Sequence, residues 1–277
     1  MELYMRDDAP LSEEEWKAVD SAVAAAAKAS LVGRRFVNLY GPLGAGVQAL
    51  WVDRLTGVSP GATDIYGQAE GEVVTPSGRQ LISLNLLHKD FVLFWRDIAT
   101  SRAMSAPLDV SAAAAAAAMV ARAEDHLIFR GAEGQPGIMT VPGRLEVEKE
   151  GGWEEPGSAL ATVAQARAAL IEEGAMGPYA LVLSPDLYTR LLRMHGQRGR
   201  LELELVQVVA DAGVYQSPVL GSGEGAFLSS GPDVLDLAVS EDIQVAYVAA
   251  ENLNHVFKVL ESVALRIRRP EGICVLT

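Results

Sequence analysis

Cysteine is all but missing: Cys274 is the single one among 277 residues. A lone thiol cannot close an intrachain disulfide, so no disulfide framework holds the fold and a cytoplasmic setting is expected. Histidine is nearly as scarce. His88, His126, His195 and His255 lie far apart, and none stands at a metal-ligand spacing from another or from Cys274, so no metal site is expected. Positive charge is in deficit, with 23 Lys+Arg against 36 Asp+Glu and a formal net charge of −13. That balance argues against nucleic acid or an anionic membrane surface as a partner. No uncharged run of larger apolar side chains approaches the roughly 18 residues needed to span a bilayer. The opening Met-Glu-Leu-Tyr-Met-Arg-Asp-Asp also lacks the basic-then-apolar pattern of a secretory signal.

Catalytic motifs are wanting too. Gly57-Val58-Ser59-Pro60-Gly61 spells a hydrolase elbow, but the residue after the serine must donate a backbone N–H to an oxyanion and Pro60 has none. Gly41-Pro42-Leu43-Gly44-Ala45-Gly46 and Gly221-Ser222-Gly223-Glu224-Gly225 offer neither the strand-to-helix context nor the lysine of a phosphate loop, and read as turns. Cys274, in an apolar terminal strand, reads as an inert buried thiol. Glu172-Glu173 at a helix end, and Glu202 with Glu204, read as solvated surface. An enzyme is the weaker class by elimination.

What the chain does have is a helix former of unusual strength, PLDVSAAAAAAAMVARAEDHLIFRG from Pro107 to Gly131. Seven alanines, Ala112 to Ala118, lose almost no side-chain entropy on coiling. Asp109 or Ser111 can cap the start, and Gly131, Gly134 and Pro136 disfavour continuation. About 20 residues at roughly 1.5 Å each would span a small domain, so this helix is the expected spine. Hydrophobic residues make up 49% of the chain, which is high for a monomer and predicts apolar surface covered by other subunits.

Residues 1 to 10 read as an arm rather than a core element, since Asp7, Asp8 and Pro10 leave little to bury. Ser12 with Glu15 spells a capping box, and Trp16, Val19, Val23, Ala26 and Ala27 share one helical face that ends near Leu31. Phe36 to Tyr40 reads as a strand. Val47 to Leu87 reads as a long β-hairpin with a Gly/Pro-rich middle, closing on one strand from Leu81 to Leu87; Phe91 to Trp95 leads to the spine. An α/β region follows. It has strand candidates at Val141 and Leu145 to Val147, a helix capped by Ser158, the strand Tyr179 to Leu183, a helix from Pro185 to about Met194, a polar loop, and a helix from Leu201 that could equally alternate as a strand. After Val214 the pattern is mainly strands: Ala226 to Leu228, Leu235 to Val239, Val245 to Val248, Val256 to Leu260, Val263 to Ile267 and Ile273 to Leu276.

Taken whole, the chain resembles the encapsulins, shell proteins of bacterial and archaeal nanocompartments. The resemblance is carried by Ala9-Pro10-Leu11 with Trp16 and Asp20, by Gly33-Arg34-Arg35-Phe36-Val37, and by Glu124-Asp125 with Ile128-Phe129-Arg130-Gly131. Gly177-Pro178-Tyr179-Ala180-Leu181-Val182-Leu183, Asp242-Ile243 with Tyr247, and Glu261 with Pro270-Glu271 extend it to the far end. The resemblance implies an α+β chain with the major capsid fold of tailed phages. Its parts would be an N-terminal arm and helix (1–46), an E-loop (47–80), a P-domain with the spine (81–131), an A-domain (132–225) and a return to the P-domain sheet (226–277). It further implies a homo-oligomeric icosahedral shell, of the smallest class (T=1), enclosing a cargo protein through that protein's C-terminal targeting peptide. Peroxidase, ferritin-like and haemerythrin-like cargos are all open. Positions matching the family's peptide groove are Arg34, Asn38, Asp242 and Ile243, with Asn38 where some relatives have aspartate; ordinary packing is the competing reading for each. His195, Gln197, Arg198 and Gly199 match the five-fold pore, or form a solvated turn. Trp95 aligns with a tryptophan that stacks on flavin in some relatives, but Leu87 replaces the arginine they use, so core packing is the alternative and no cofactor is expected. A phage or prophage major capsid protein, and a small α/β enzyme with an unseen site, are the competing functions.

Overall fold

The computed structural model describes residues 3–56, 61–195 and 199–277. Helix α1 (Glu13–Ser30) begins where expected: the Ser12 hydroxyl accepts from the Glu15 amide while the Glu15 carboxylate accepts from the Ser12 amide. Its buried residues are Trp16, Val19, Val23 and Ala27, three or four apart and therefore on one stripe. Next come strand β1 (Asn38–Tyr40), the antiparallel hairpin β2 (Ala49–Thr56) and β3 (Thr75–Ser83), strand β4 (Asn85–Leu93), helix α2 (Trp95–Met104) and the spine α3 (Ser111–Arg130). Along α3, Ala113, Ala116, Ala117, Val120 and Ala121 are buried; these short side chains let α1 and the sheet approach its axis. Asp109 Oδ1 accepts from the Ser111 amide at 2.9 Å at its start. At its end Gly131 adopts φ +87°, and a Cβ there would run into the backbone of Gln135, Pro136 and Gly137.

A two-residue hairpin, β5 (Gly131–Ala132) with β6 (Gln135–Pro136), turns the chain toward β7 (Leu145–Val147), α4 (Ser158–Glu172), β8 (Tyr179–Leu183) and α5 (Pro185–Arg190). The short pair β9 (Met194–His195) and β10 (Arg200–Leu201) follows, then α6 (Glu202–Val209), β11 (Gly213–Gln216) and β12 (Gly225–Ser229). The chain closes with β13 (Leu235–Glu251), β14 (Asn254–Ile267) and β15 (Ile273–Leu276). Two sheets organise these pieces, one in the order β1-β13-β14-β4 and one in the order β11-β8-β12-β15-β7. Trp16, Val19 and Val23 of α1 and Ala113, Ala117 and Val120 of α3 pack with Val245, Phe257 and Val259 of the first sheet. The Phe257 ring lies 5.6 Å edge-on from Trp16 and 5.3 Å stacked on Phe91.

Several expectations need correction. The run Leu81 to Leu87 is not one strand: it divides at Leu84, with β3 paired to β2 and β4 paired to β14. Helix α2 was legible only as an approach to the spine, because polar and small residues dominate it and Ile98 is its one buried residue. Val141 is buried but lies in a turn region, and the first strand is shortened to Asn38–Tyr40 because Gly33–Arg35 forms a 3-10 turn. Ser158 is the first residue of α4 rather than its cap. The helix from Pro185 stops at Arg190. The pairs of strands read from Leu235 and from Val256 are single long strands; polar Glu241, Asp242 and Gln244 interrupt the apolar pattern because β13 bulges there, its register shifting between Val239 and Gln244. The terminal strand Ile273–Leu276, assigned from the sequence to the P-domain sheet with residues 226–277, lies in the five-stranded sheet beside β12 and β7. All four of its side chains are buried there. The arm lies along β13: the Tyr4 carbonyl accepts from the Tyr247 amide at 2.9 Å, and the Tyr4 hydroxyl donates to Glu241 at 2.8 Å.

Candidate functional site

The turn that follows α1 is held by the spine. Asp125 of α3 accepts from the amides of Val32 (3.0 Å) and Gly33 (2.8 Å). Burial raises its carboxyl to about 6, against the pull of those amides, so it remains ionised at neutral pH and strengthens both bonds. This turn aims Arg34 at its neighbour on the spine, Glu124, whose two oxygens accept from Arg34 Nε at 2.9 and 2.8 Å. The same guanidinium donates to Glu261 of β14 at 2.8 Å and to Asp242 of β13 at 2.7 Å. Glu124 and Glu261 are fully buried whereas the Asp242 side chain is 62% exposed. One cation thus faces three acids. Burial first, and then the negative charge of Glu124, push the Glu261 carboxyl far above the carboxylate range, so Glu261 is protonated and the buried charges balance.

Arg34 and Asp242 close one end of a groove of about 820 Å³ between α1 and β13. Its apolar wall comes from Val23, Ala27 and Leu31 on the helix and from Ile243 and Val245 on the strand. At the other end Arg6 pairs with Asp20 at 2.7 Å and its guanidinium lies 4.0 Å over the Trp16 ring. Lys28, exposed on α1, lines the groove and has no carboxylate partner among the described residues. The groove is therefore mostly apolar with a few fixed polar groups, a lining that suits an extended peptide better than a reacting small molecule. Of the residues matched to the family's peptide groove, Arg34, Asp242 and Ile243 line it together. Asn38 does not: its amide donates to the Ser230 carbonyl, beside the β1–β13 pairing. Sequence reasoning did not single out Arg6, Asp20, Lys28 and Val245 as groove residues, nor Glu124 and Glu261 as partners of Arg34. The signal available for Glu124 was its place four residues after Val120, on the apolar stripe of the spine.

The other candidate positions lie apart. His195 ends β9 and Gly199, at φ +66°, precedes β10, with His195 and Arg200 paired across the ladder. Gln197 and Arg198 lie outside the described residues, as do Ser59 and Pro60 of the elbow string. The base of this hairpin is anchored by Glu202, which is fully buried rather than solvated. Its carboxylate accepts from the Gly157 and Leu160 amides and from Arg193 Nε, capping α4 from a distance. Arg193 also donates to the carbonyls of Trp153, Glu154 and Glu155. Trp95 is no core residue: it opens α2 at 43% exposure, its amide donating to Asn254 at 3.4 Å. Burial pushes the Cys274 thiol up to about 12, so it is no nucleophile at neutral pH. Among the described residues no group of three or more His, Cys, Asp or Glu could hold a metal ion, and no helix is long and apolar enough to cross a membrane.

Residues 1–264 match the family described as "Encapsulating protein for peroxidase". The type 1 encapsulin shell protein EncA of Myxococcus xanthus is 47% identical over 269 residues, covering 96% of this chain and 93% of that protein. Among solved structures, the virus-like particle of Pyrococcus furiosus superposes with a TM-score of 0.78 at 21% identity, covering 95% of this chain and all of that one. The capsid of the myovirus XM1 superposes with a TM-score of 0.64 at 12% identity over 88% of this chain and 90% of that one. These two likenesses show the fold, an α+β capsid architecture.

Proposed function

The chain belongs to the encapsulin family of shell proteins, and on that premise we propose how its copies take up cargo and admit small molecules. Its role is structural: it builds the wall of a nanocompartment. The reading advanced is that copies close into the smallest icosahedral class, T=1, in the cytoplasm, and that the α1–β13 groove seats the C-terminal tail of an enzyme held inside. The observation that carries it is the convergence of Arg34, Asp242 and Ile243 on one apolar groove, with Arg34 fixed by two buried acids before any ligand arrives. A preset guanidinium and a preformed wall lower the ordering cost of binding, and many weak seats in one shell add up to strong retention. Peroxidase is the first cargo to test, with ferritin-like and haemerythrin-like enzymes next.

Ala24, exposed on α1, lines the groove. Ala24→Trp is expected to leave uniform round particles in negative-stain microscopy while the cargo that co-purifies with the wild-type shell falls about tenfold or more, the loss of an anchoring contact. Particles that keep their full load would remove the groove from cargo binding.

The β9–β10 hairpin is assigned to the five-fold opening, where a ring of Arg198 side chains would favour anions. Arg198→Glu is expected to slow entry of a small anionic dye into intact shells and to leave assembly unchanged. Equal uptake by both shells would assign the opening elsewhere.

A further inference from the structure

Strand β13 is paired on one side with β14 along its whole length, whereas among the described residues its other side is covered only over its first part and at Tyr247. At the first end β1 pairs with Asp236 to Ala238, and the amides of Leu43 and Gly44 then donate to the carbonyls of Val239 and Ser240. Further along, the Tyr247 amide donates to the Tyr4 carbonyl. From Gln244 to Tyr247 the ladder with β14 runs without a register shift. In an antiparallel ladder successive residues turn their backbone groups to opposite sides. Since Tyr247 points its amide away from β14, Val245 does the same, and both its N–H and its C=O face the groove between α1 and β13. The neighbouring bulge residue Ile243 has its amide taken by Asp242 Oδ1 at 2.8 Å. The edge left vacant is therefore short, framed by two pieces of the same chain that already pair with it, and lies on the wall of the groove.

We infer that the occupant of this groove adds to β13 as an edge strand, hydrogen-bonding Val245 through its main chain while its side chains meet the α1 wall. The occupant is an extended C-terminal segment of another protein, and this rests on the groove being the cargo seat proposed above. Strand addition fits the site for three reasons. An unpaired strand edge is the backbone's own recognition surface. Asp20 and Asp242 are both already paired with arginines, so the groove presents no unpaired carboxylate. Lys28, exposed and without a carboxylate partner among the described residues, supplies a counter-charge for a terminal carboxylate. The Tyr4 and Gly44 contacts at either end stop the added strand from sliding and so set its register.

The test uses whole shells. A fluorescent reporter carrying a random C-terminal tail of about eight residues is co-expressed with the wild-type chain, and tails enriched in purified particles are identified. An enriched tail is then scanned with proline and, separately, with alanine. Proline lacks the N–H that the Val245 carbonyl would accept, so one sensitive tail position is expected: there proline lowers packaging about tenfold while alanine keeps it within about twofold, and at the positions on either side proline is tolerated about as well as alanine. As a second readout, the Val245 amide is expected to exchange with solvent at least about tenfold more slowly in loaded than in empty shells. Enriched tails that are lost with Ala24→Trp, yet show no position sensitive to proline but not to alanine and no protection of Val245, overturn strand addition and leave the groove reading standing. If no tail is enriched, or every enriched tail is still packaged by Ala24→Trp shells, the groove reading and this inference fall together.

Discussion

Arg34 shows what a single side chain does for this protein. Its guanidinium ties α1 to the spine through Glu124, to β14 through Glu261 and to the mouth of the groove through Asp242. Because the folded state raises the Glu261 carboxyl above its ordinary value, the folded chain binds a proton that the unfolded chain gives up. Stability from this group is whole below the ordinary carboxylate range and is lost as pH rises toward the elevated folded value. Glu261→Gln, which mimics the protonated form, should flatten this decline. Thermal unfolding of assembled particles between about pH 5 and 9 should show the variant gaining on wild type as pH rises; parallel curves would mean that Glu261 is ionised in the fold. The arginine, the aspartate and the isoleucine of the groove were recoverable from the sequence only because short motifs around them match a family. Their convergence was not, since residues 34 and 242 meet through tertiary packing. Asn38 and Trp95 show the limit of that route, because alignment gives a position and not the direction a side chain takes. Glu202 shows another: an acid in an alternating stretch looks solvated until the helix end that it caps is seen.

Among the elements, the spine was plain from local preference alone, since its alanines need no tertiary help to coil. The capping box of α1 and the apolar stripe behind it were equally plain. The joints were harder. The break at Leu84 depends on which sheet each half pairs with, and the long β13 hides behind a bulge whose polar residues look like a loop. The end of the spine at Gly131 is fixed by backbone geometry, because φ +87° and the close Gln135 carbonyl leave no room for a Cβ. Gly131→Ala should therefore destabilise the chain by about 2 kcal/mol or more, through left-handed strain and displacement of β6. Guanidinium unfolding of the purified variant against wild type measures it, and a loss under about 0.5 kcal/mol would show that the hairpin yields.

For the molecule as a whole, the 49% hydrophobic content anticipated subunits before any fold was in view. The β2–β3 hairpin bears this out in part: Val52 and Ile82 pack on Ala264, while Trp51 and Leu81, paired across the ladder, are 58% and 53% exposed. Beyond them Ile65, Tyr66 and Val73 are almost bare. Trp51→Asp is expected to lower particle yield at a given protein concentration, read by light scattering, while circular dichroism stays close to wild type. Undiminished yield would place the contacts between copies elsewhere. A ribbon of two strands has little cohesion in water, so a solitary copy holds this limb weakly, and each added neighbour stiffens what the previous one left slack. Growth of the wall should accordingly begin with a lag and finish abruptly, few half-built fragments surviving between free protein and closed particle.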